Sequence, residues 1–223
     1  YLCSPSNPQG GVATSEYWVE LLKLAERYDF TIFADECYSE IYRNHAPTGA
    51  LEALNTISAD PERLVVFHSL SKRSNLPGLR SGFLATGPEN LKRLSQLKSY
   101  GGAPLPKPLQ HAAAAVWGDE EHVKENRKLY TAKYKLADDI LSGLEGYTSP
   151  EAGFFLWIAV QDSEKTTVDL WRETGVRVLP GAYLAQEKNG KNPGQNFIRV
   201  ALVAQQKITE EALIKMRSFL EKQ

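Results

Sequence analysis

Apolar residues fall along the chain in two different rhythms. After "YLCSPSNPQGG", which reads as a strand running into a Pro8–Gly10–Gly11 turn, Thr14 suits a helix N-cap. Tyr17, Leu21, Leu24 and Tyr28 then recur at helical spacing, with Trp18, Leu22 and Ala25 widening the stripe. The runs "FTIFADECY", residues 64 to 72 and "SGFLATG" are short and apolar, and predict further strands. Strands alternating with a helix predict a mainly parallel α/β sheet covered on both faces. Helices are expected over 88–100 and 106–117. A longer one follows Asp119, its stripe carried by Leu129, Ala132, Leu136, Ile140 and Leu144. The pattern then changes: "GFFLWIAV", "VRVLPG" and "NFIRVALV" predict strands, flanked by helices near 166–174 and 209–222, as in a smaller α+β lobe. The expected division is 1–118 and 119–223. "EKNGKNPGQN" reads as a loop.

Composition narrows the function classes. With 26 basic and 27 acidic residues in 223, the formal net charge is −1, which gives no electrostatic case for nucleic acid or an anionic membrane. No apolar run reaches the roughly 20 residues of a membrane span, and no secretory signal is visible. Cys3 and Cys37 fit reduced thiols in a cytoplasmic protein. His45, His68, His111 and His122 are scattered, without a cysteine–histidine spacing for a metal.

Ligands of open α/β sheets sit beyond the carboxyl ends of the strands. Three strand candidates end there in polar residues: Ser4, Ser6 and Asn7; Asp35 and Tyr38; Ser69, Ser71 and Lys72, with Arg80 following. Singly, each has a mundane reading as turn, helix cap or solvated charge. Together a carboxylate, a phenol, a lysine, two hydroxyls and an arginine fit pyridoxal 5'-phosphate. Its aldehyde needs an amine, its ring nitrogen a carboxylate, and its phosphate hydroxyls and a guanidinium.

The segments "SNPQG", "ADECYSEIY", "SLSKRSNLPGLRSG", "GFFLW" and "NFIRVAL" together resemble the class I/II pyridoxal-phosphate aminotransferases of fold type I. That resemblance implies an incomplete large domain with a mainly parallel sheet, and a smaller C-terminal α+β domain. It implies that Lys72 is the catalytic lysine that condenses with the cofactor aldehyde, and that Asp35 partners the pyridine nitrogen. Asn7 and Tyr38 would hold the phenolate oxygen; Ser69, Ser71 and Arg80 the phosphate; Arg199 the substrate α-carboxylate. Partners would be an amino acid and a 2-oxo acid, in a homodimer when complete.

Within the family, "HSLSKRSNLPGLRSGF", "DECYSEIY" and "PTGALEA" are similar to the succinyldiaminopimelate aminotransferases of lysine biosynthesis. Relatives carry about another domain's worth of chain upstream, so the 223 residues alone are expected to be inactive. The alternatives are a β-lyase on the same cofactor, or the aminotransferase-like effector domain of a transcription regulator. His68 is expected to be packed or solvated, and Tyr183 to line the substrate pocket of the smaller lobe.

Overall fold

The apolar runs of the first half become one four-stranded sheet in a computed structural model that describes residues 1–223. Its strands are β1 (Leu2–Cys3), β2 (Ile32–Asp35), β3 (Leu64–Ser69) and β4 (Gly82–Thr86), hydrogen-bonded in that order. β1, β2 and β3 are parallel, with Cys3 opposite Asp35 and Asp35 opposite Phe67. β4 reverses, with Ser69 opposite Gly82. The reason is local. A parallel return is usually carried by a crossover helix packed on the sheet, and the twelve residues 70–81 between β3 and β4 hold only a one-turn helix, α3 (Leu70–Arg73), and the 3-10 turn Pro77–Leu79.

The two parallel crossovers contain α1 (Ser15–Tyr28) and α2 (Ala50–Ile57). Thr14 caps α1 as expected, its Oγ1 accepting the Tyr17 N–H at 3.1 Å. The buried line is the one that widens the predicted stripe, not the one that leads it. Trp18, Leu22 and Ala25 are fully buried, whereas Tyr17, Leu24 and Tyr28 are exposed. Apolar residues lie on two adjacent lines of this helix, and packing selects the line that meets Ile32, Ala34, Leu64 and Val66. α2 was not foreseen, although Ala50, Ala53, Leu54 and Ile57 carry a helical spacing and the first three are buried. Burial along β2 alternates rather than running continuously. Ile32 and Ala34 enter the core while Phe33 is 40% exposed, so α1 and α2 cover one face of the sheet, not both.

α4 (Pro88–Gly101) and α5 (Lys107–Trp117) follow, then α6 (Glu121–Leu141). The buried line of α6 runs through Val123, Tyr130, Tyr134, Ala137 and Leu141, again beside the predicted stripe, and Leu129 is exposed. Long helical side chains cover the turn N-terminal to their own Cα, which shifts the face they bury.

The chain packs as two units, Tyr1–Ser6 with Gly11–Arg127, and Asn7–Gly10 with Lys128–Gln223. The first turns of α6 thus belong to the first unit, where sequence reading starts the second domain at 119. Asn126 and Arg127 are the reason, because both side chains bond to the first unit, at Lys72 O and Glu40.

In the second unit β5 (Phe155–Ala159), β7 (Phe197–Ala201) and β6 (Leu179–Pro180) form an antiparallel sheet in the order β5-β7-β6. α7 (Ser163–Thr174) and α8 (Gln206–Leu220) complete it, with Leu156, Ile158, Leu170, Ile198, Leu213 and Met216 buried between them. Asn7–Gly10 joins this unit through Gly10. Its carbonyl accepts the N–H groups of Glu151 and Ala152 at 3.1 and 3.0 Å, its φ is +73°, and a Cβ there would stand 2.6 Å from Pro150. Gly181 and Gly194 touch backbone to backbone: a Cβ on Gly194 would lie 2.1 Å from Gly181 O. No helix is long and apolar enough to cross a membrane.

Candidate active site

Parallel pairing of β2 and β3 brings two polar strand ends to one edge of the first sheet. At the end of β2, Asp35 is half-buried and its carboxylate is already oriented. Oδ1 accepts the Cys37 N–H at 3.1 Å and Oδ2 accepts the Tyr1 hydroxyl. Three residues on, Tyr38 is buried. Burial pushes the Cys37 thiol up to about 12, with the Asp35 carboxylate adding to it, which favours the protonated thiol.

At the end of β3, Ser69 does two jobs. As the N-cap of α3 its Oγ accepts the Ser71 N–H at 3.1 Å, and the same Oγ lies 3.0 Å from Ser71 Oγ. Two hydroxyls therefore sit side by side at the start of a turn. Lys72 follows in that turn, its Nζ 6.0 Å from the centroid of the Tyr38 ring. The 80–82 backbone lies against the serines, since Ser81 O accepts the Leu70 N–H at 3.1 Å. Arg80 is exposed, has φ +54°, a region few residues other than glycine adopt, and donates from Nη1 to Pro77 O at 2.7 Å. Its guanidinium is bonded to that carbonyl, not to the serines.

Behind the edge, the buried Glu36 pairs with the partly buried His68, with Nε2 3.4 Å from Oε2. The other Glu36 oxygen accepts the Ala50 N–H at the start of α2, at 2.7 Å. Burial raises the Glu36 carboxyl against the pull of that N–H. Burial also lowers the His68 imidazole, against the charges of Glu40 and Asp35. His68 packs on Phe83, ring centroids 5.2 Å apart, the first of the two settings expected for it.

The second unit holds the other two expected residues together. Arg199, in the central strand β7, donates from Nη1 to Asn7 Oδ1 at 2.9 Å, and its Cζ lies 4.3 Å from the Phe155 ring centroid. Tyr183 is 67% exposed and donates to Glu164 at 3.2 Å.

The donor set of the first unit fits pyridoxal phosphate. An acceptor-only carboxylate, an amine, paired hydroxyls and a guanidinium match a pyridinium, an aldehyde and a phosphate, in that order. Sequence reasoning missed the residues that hold this set. Asn126 and Arg127 bond to the segments carrying Lys72 and Tyr38, and Arg73, next to Lys72, bonds to the end of α5; only the charge of Arg73 in "SKRSN" hinted at one of them.

The family model for aminotransferase class I and II matches residues 1–213. Among curated relatives, 4-dedimethylamino-4-oxo-anhydrotetracycline transaminase OxyQ of Streptomyces rimosus is 31% identical over 206 residues, 92% of this chain and 55% of that protein. LL-diaminopimelate aminotransferase 2 of Nostoc sp. is 30% identical over 222 residues, 96% of this chain and 54% of that protein. Among solved structures, an aminotransferase from Neisseria meningitidis superposes with a TM-score of 0.92 at 39% identity, over 98% of this chain and 56% of that one. The chain thus spans about half the length of the relatives it matches.

Proposed function

We propose that this chain, which belongs to the class I and II aminotransferase family, binds pyridoxal 5'-phosphate at the ends of β2 and β3 and serves amino transfer between an amino acid and a 2-oxo acid. Members of the family depend on that cofactor. The observation that carries the reading is the shared edge, where Asp35 precedes the turn bearing Tyr38 and the Ser69–Ser71 pair leads directly into Lys72. When bound, the cofactor supplies an aldehyde reactive toward amines and a cationic ring that accepts an electron pair.

Each residue then has a task. Lys72 Nζ would hold the aldehyde and, as a neutral amine, would take the proton from the substrate α-carbon. Asp35, fixed by the Cys37 N–H, would accept a hydrogen bond from the ring nitrogen and so favour its protonated form. Ser69, Ser71 and Arg80 are assigned to the phosphate, for which Arg80 leaves the Pro77 carbonyl. Tyr38 and Asn7 are assigned to the phenolate oxygen. Arg199 is assigned to the substrate α-carboxylate, since a guanidinium matches a carboxylate bidentately.

The substrate is placed among diamino dicarboxylic acids of lysine biosynthesis, with likeness to the LL-diaminopimelate aminotransferase in support. The N-succinylated form, with 2-oxoglutarate as the partner acid, rests on "HSLSKRSNLPGLRSGF" and "PTGALEA". A homodimer is proposed for the whole protein.

The test uses the whole protein loaded with cofactor. Borohydride reduction followed by peptide mapping should label Lys72, and Lys72→Ala should lower turnover by ~10³-fold or more. A label on another lysine, or full activity in the variant, ends the assignment. Ammonia release without an acceptor acid points to a lyase instead.

A further inference from the structure

The turn that carries Lys72 is too short to hold itself. α3 has four residues, and an isolated helical turn has no stability in water. Its position must come from tertiary contacts, and three are present. Leu70 is fully buried. Asn126 donates from Nδ2 to the Lys72 carbonyl at 3.4 Å. Arg73, 6% exposed, sends its guanidinium to the C-terminal end of α5.

There Nη1 donates to Val116 O at 3.1 Å and Ser74 Oγ at 3.2 Å. Nη2 donates to Trp117 O and Asp119 O, both at 3.4 Å, and to the Glu120 carboxylate. Cζ lies 5.0 Å from the Trp117 ring centroid. Carbonyls at a helix end have no partner within the helix, so one guanidinium caps α5 and ties α3 to it. Arg127 does the same for the other strand end. It donates from Nε to Glu40 O at 3.1 Å, pairs with the Glu40 carboxylate, and lies 4.2 Å from the Tyr42 ring centroid. Residues 116–127 therefore grip both segments that carry the candidate chemistry.

We propose that Arg73 is a positioning residue for Lys72: locked onto the end of α5, its guanidinium sets where the Lys72 side chain emerges and hence how that amine reacts. This rests on the assignment of Lys72 in the reading above. A lysine at 73 keeps the charge but lacks the planar fork that engages several acceptors at once.

The test compares Arg73→Lys with Leu22→Ala, which weakens the core of the same unit, in the whole protein. Acetylation of Lys72 by acetic anhydride, read by peptide mass spectrometry without cofactor, should change about threefold or more in Arg73→Lys. With cofactor, kcat should fall ~10-fold while KM stays within about twofold, because a small misplacement of a reacting group acts on the chemical step. Leu22→Ala should leave both readouts at wild-type values per folded molecule. Equal Lys72 labelling in Arg73→Lys and wild type overturns the proposal. Should Arg73→Lys not fold, Glu120→Gln decides: Lys72 labelling that differs from wild type supports it, and equal labelling overturns it. A wild-type protein that binds no cofactor refutes the proposed function, yet the labelling still decides the role of Arg73.

Discussion

Arg73 and Arg80 belong to one short stretch around Lys72 and have opposite surroundings. Arg73 is buried, with both terminal nitrogens engaged by carbonyls and a carboxylate. Arg80 is exposed on a left-handed residue and holds a single carbonyl, Pro77 O. A guanidinium whose two terminal nitrogens are both held by protein oxygens has little left for a ligand; one bound to a single carbonyl can exchange it for a phosphate. Residue type does not distinguish a scaffold arginine from a ligand arginine, whereas the tally of acceptors around each does.

The comparison breaks most sharply on stability. Arg73→Ala should lower the unfolding free energy by about 3 kcal/mol, because it uncovers the end of α5 and removes a buried ion-pair partner. Arg80→Ala should change it by no more than about 0.5 kcal/mol. Urea unfolding of the two variants checks both values, and equal losses would erase the distinction.

For cofactor the ranking turns to Arg80. Arg80→Ala should weaken pyridoxal phosphate binding about 10- to 100-fold, the loss of one charge-assisted contact to an anion. Fluorescence titration of the apoenzyme reads it, and an unchanged Kd would leave the phosphate to other residues. The serines sharpen the same contrast on a smaller scale. Ser69→Ala should lose affinity and also about 1 kcal/mol of stability as a lost N-cap, whereas Ser71→Ala should lose affinity alone. Paired melting and binding curves separate them.

The smallest effect concerns pH. The folded-state pKa of His68 is depressed by burial, so the unfolded chain binds the proton more tightly, and stability falls as pH drops through the usual imidazole value of about 6.5. Glu36 opposes it: its raised carboxyl contributes stability that is complete at low pH and is lost as pH rises through the raised value. Melting temperatures of His68→Gln between pH 7 and 5 should decline less than those of the wild type. A steeper decline would mean the imidazole is charged in the folded state.

Much of the architecture was legible in the sequence because it depends on local pattern. The strands ending at Asp35 and Ser69, the Thr14 cap, and the helices after Gly87 and Pro106 follow from spacing and capping chemistry. The buried faces of α1 and α6 were not, because each helix carries adjacent apolar lines and only a packing partner chooses between them. The direction of β4 was hidden in a connection that holds no crossover helix. Among the candidate site residues, Asp35, Tyr38, Ser69, Ser71 and Lys72 were visible as polar groups at strand ends. The partners of Arg73 were not, since they lie 43 to 47 residues further along. The expectation of a reaching Arg80 met a side chain folded back on its own turn.

The contact between Gly181 and Gly194 bears on engineering. It closes the foot of the loop, helped by Asn192, whose Nδ2 donates to Ala182 O at 2.9 Å and whose Oδ1 accepts the Gly194 N–H at 2.9 Å. Beyond that foot, Gln186 to Lys191 are all exposed. An epitope or fluorophore tag grafted into this tip would be carried on a closed stem, while even one methyl group added at either glycine would prise the stem apart.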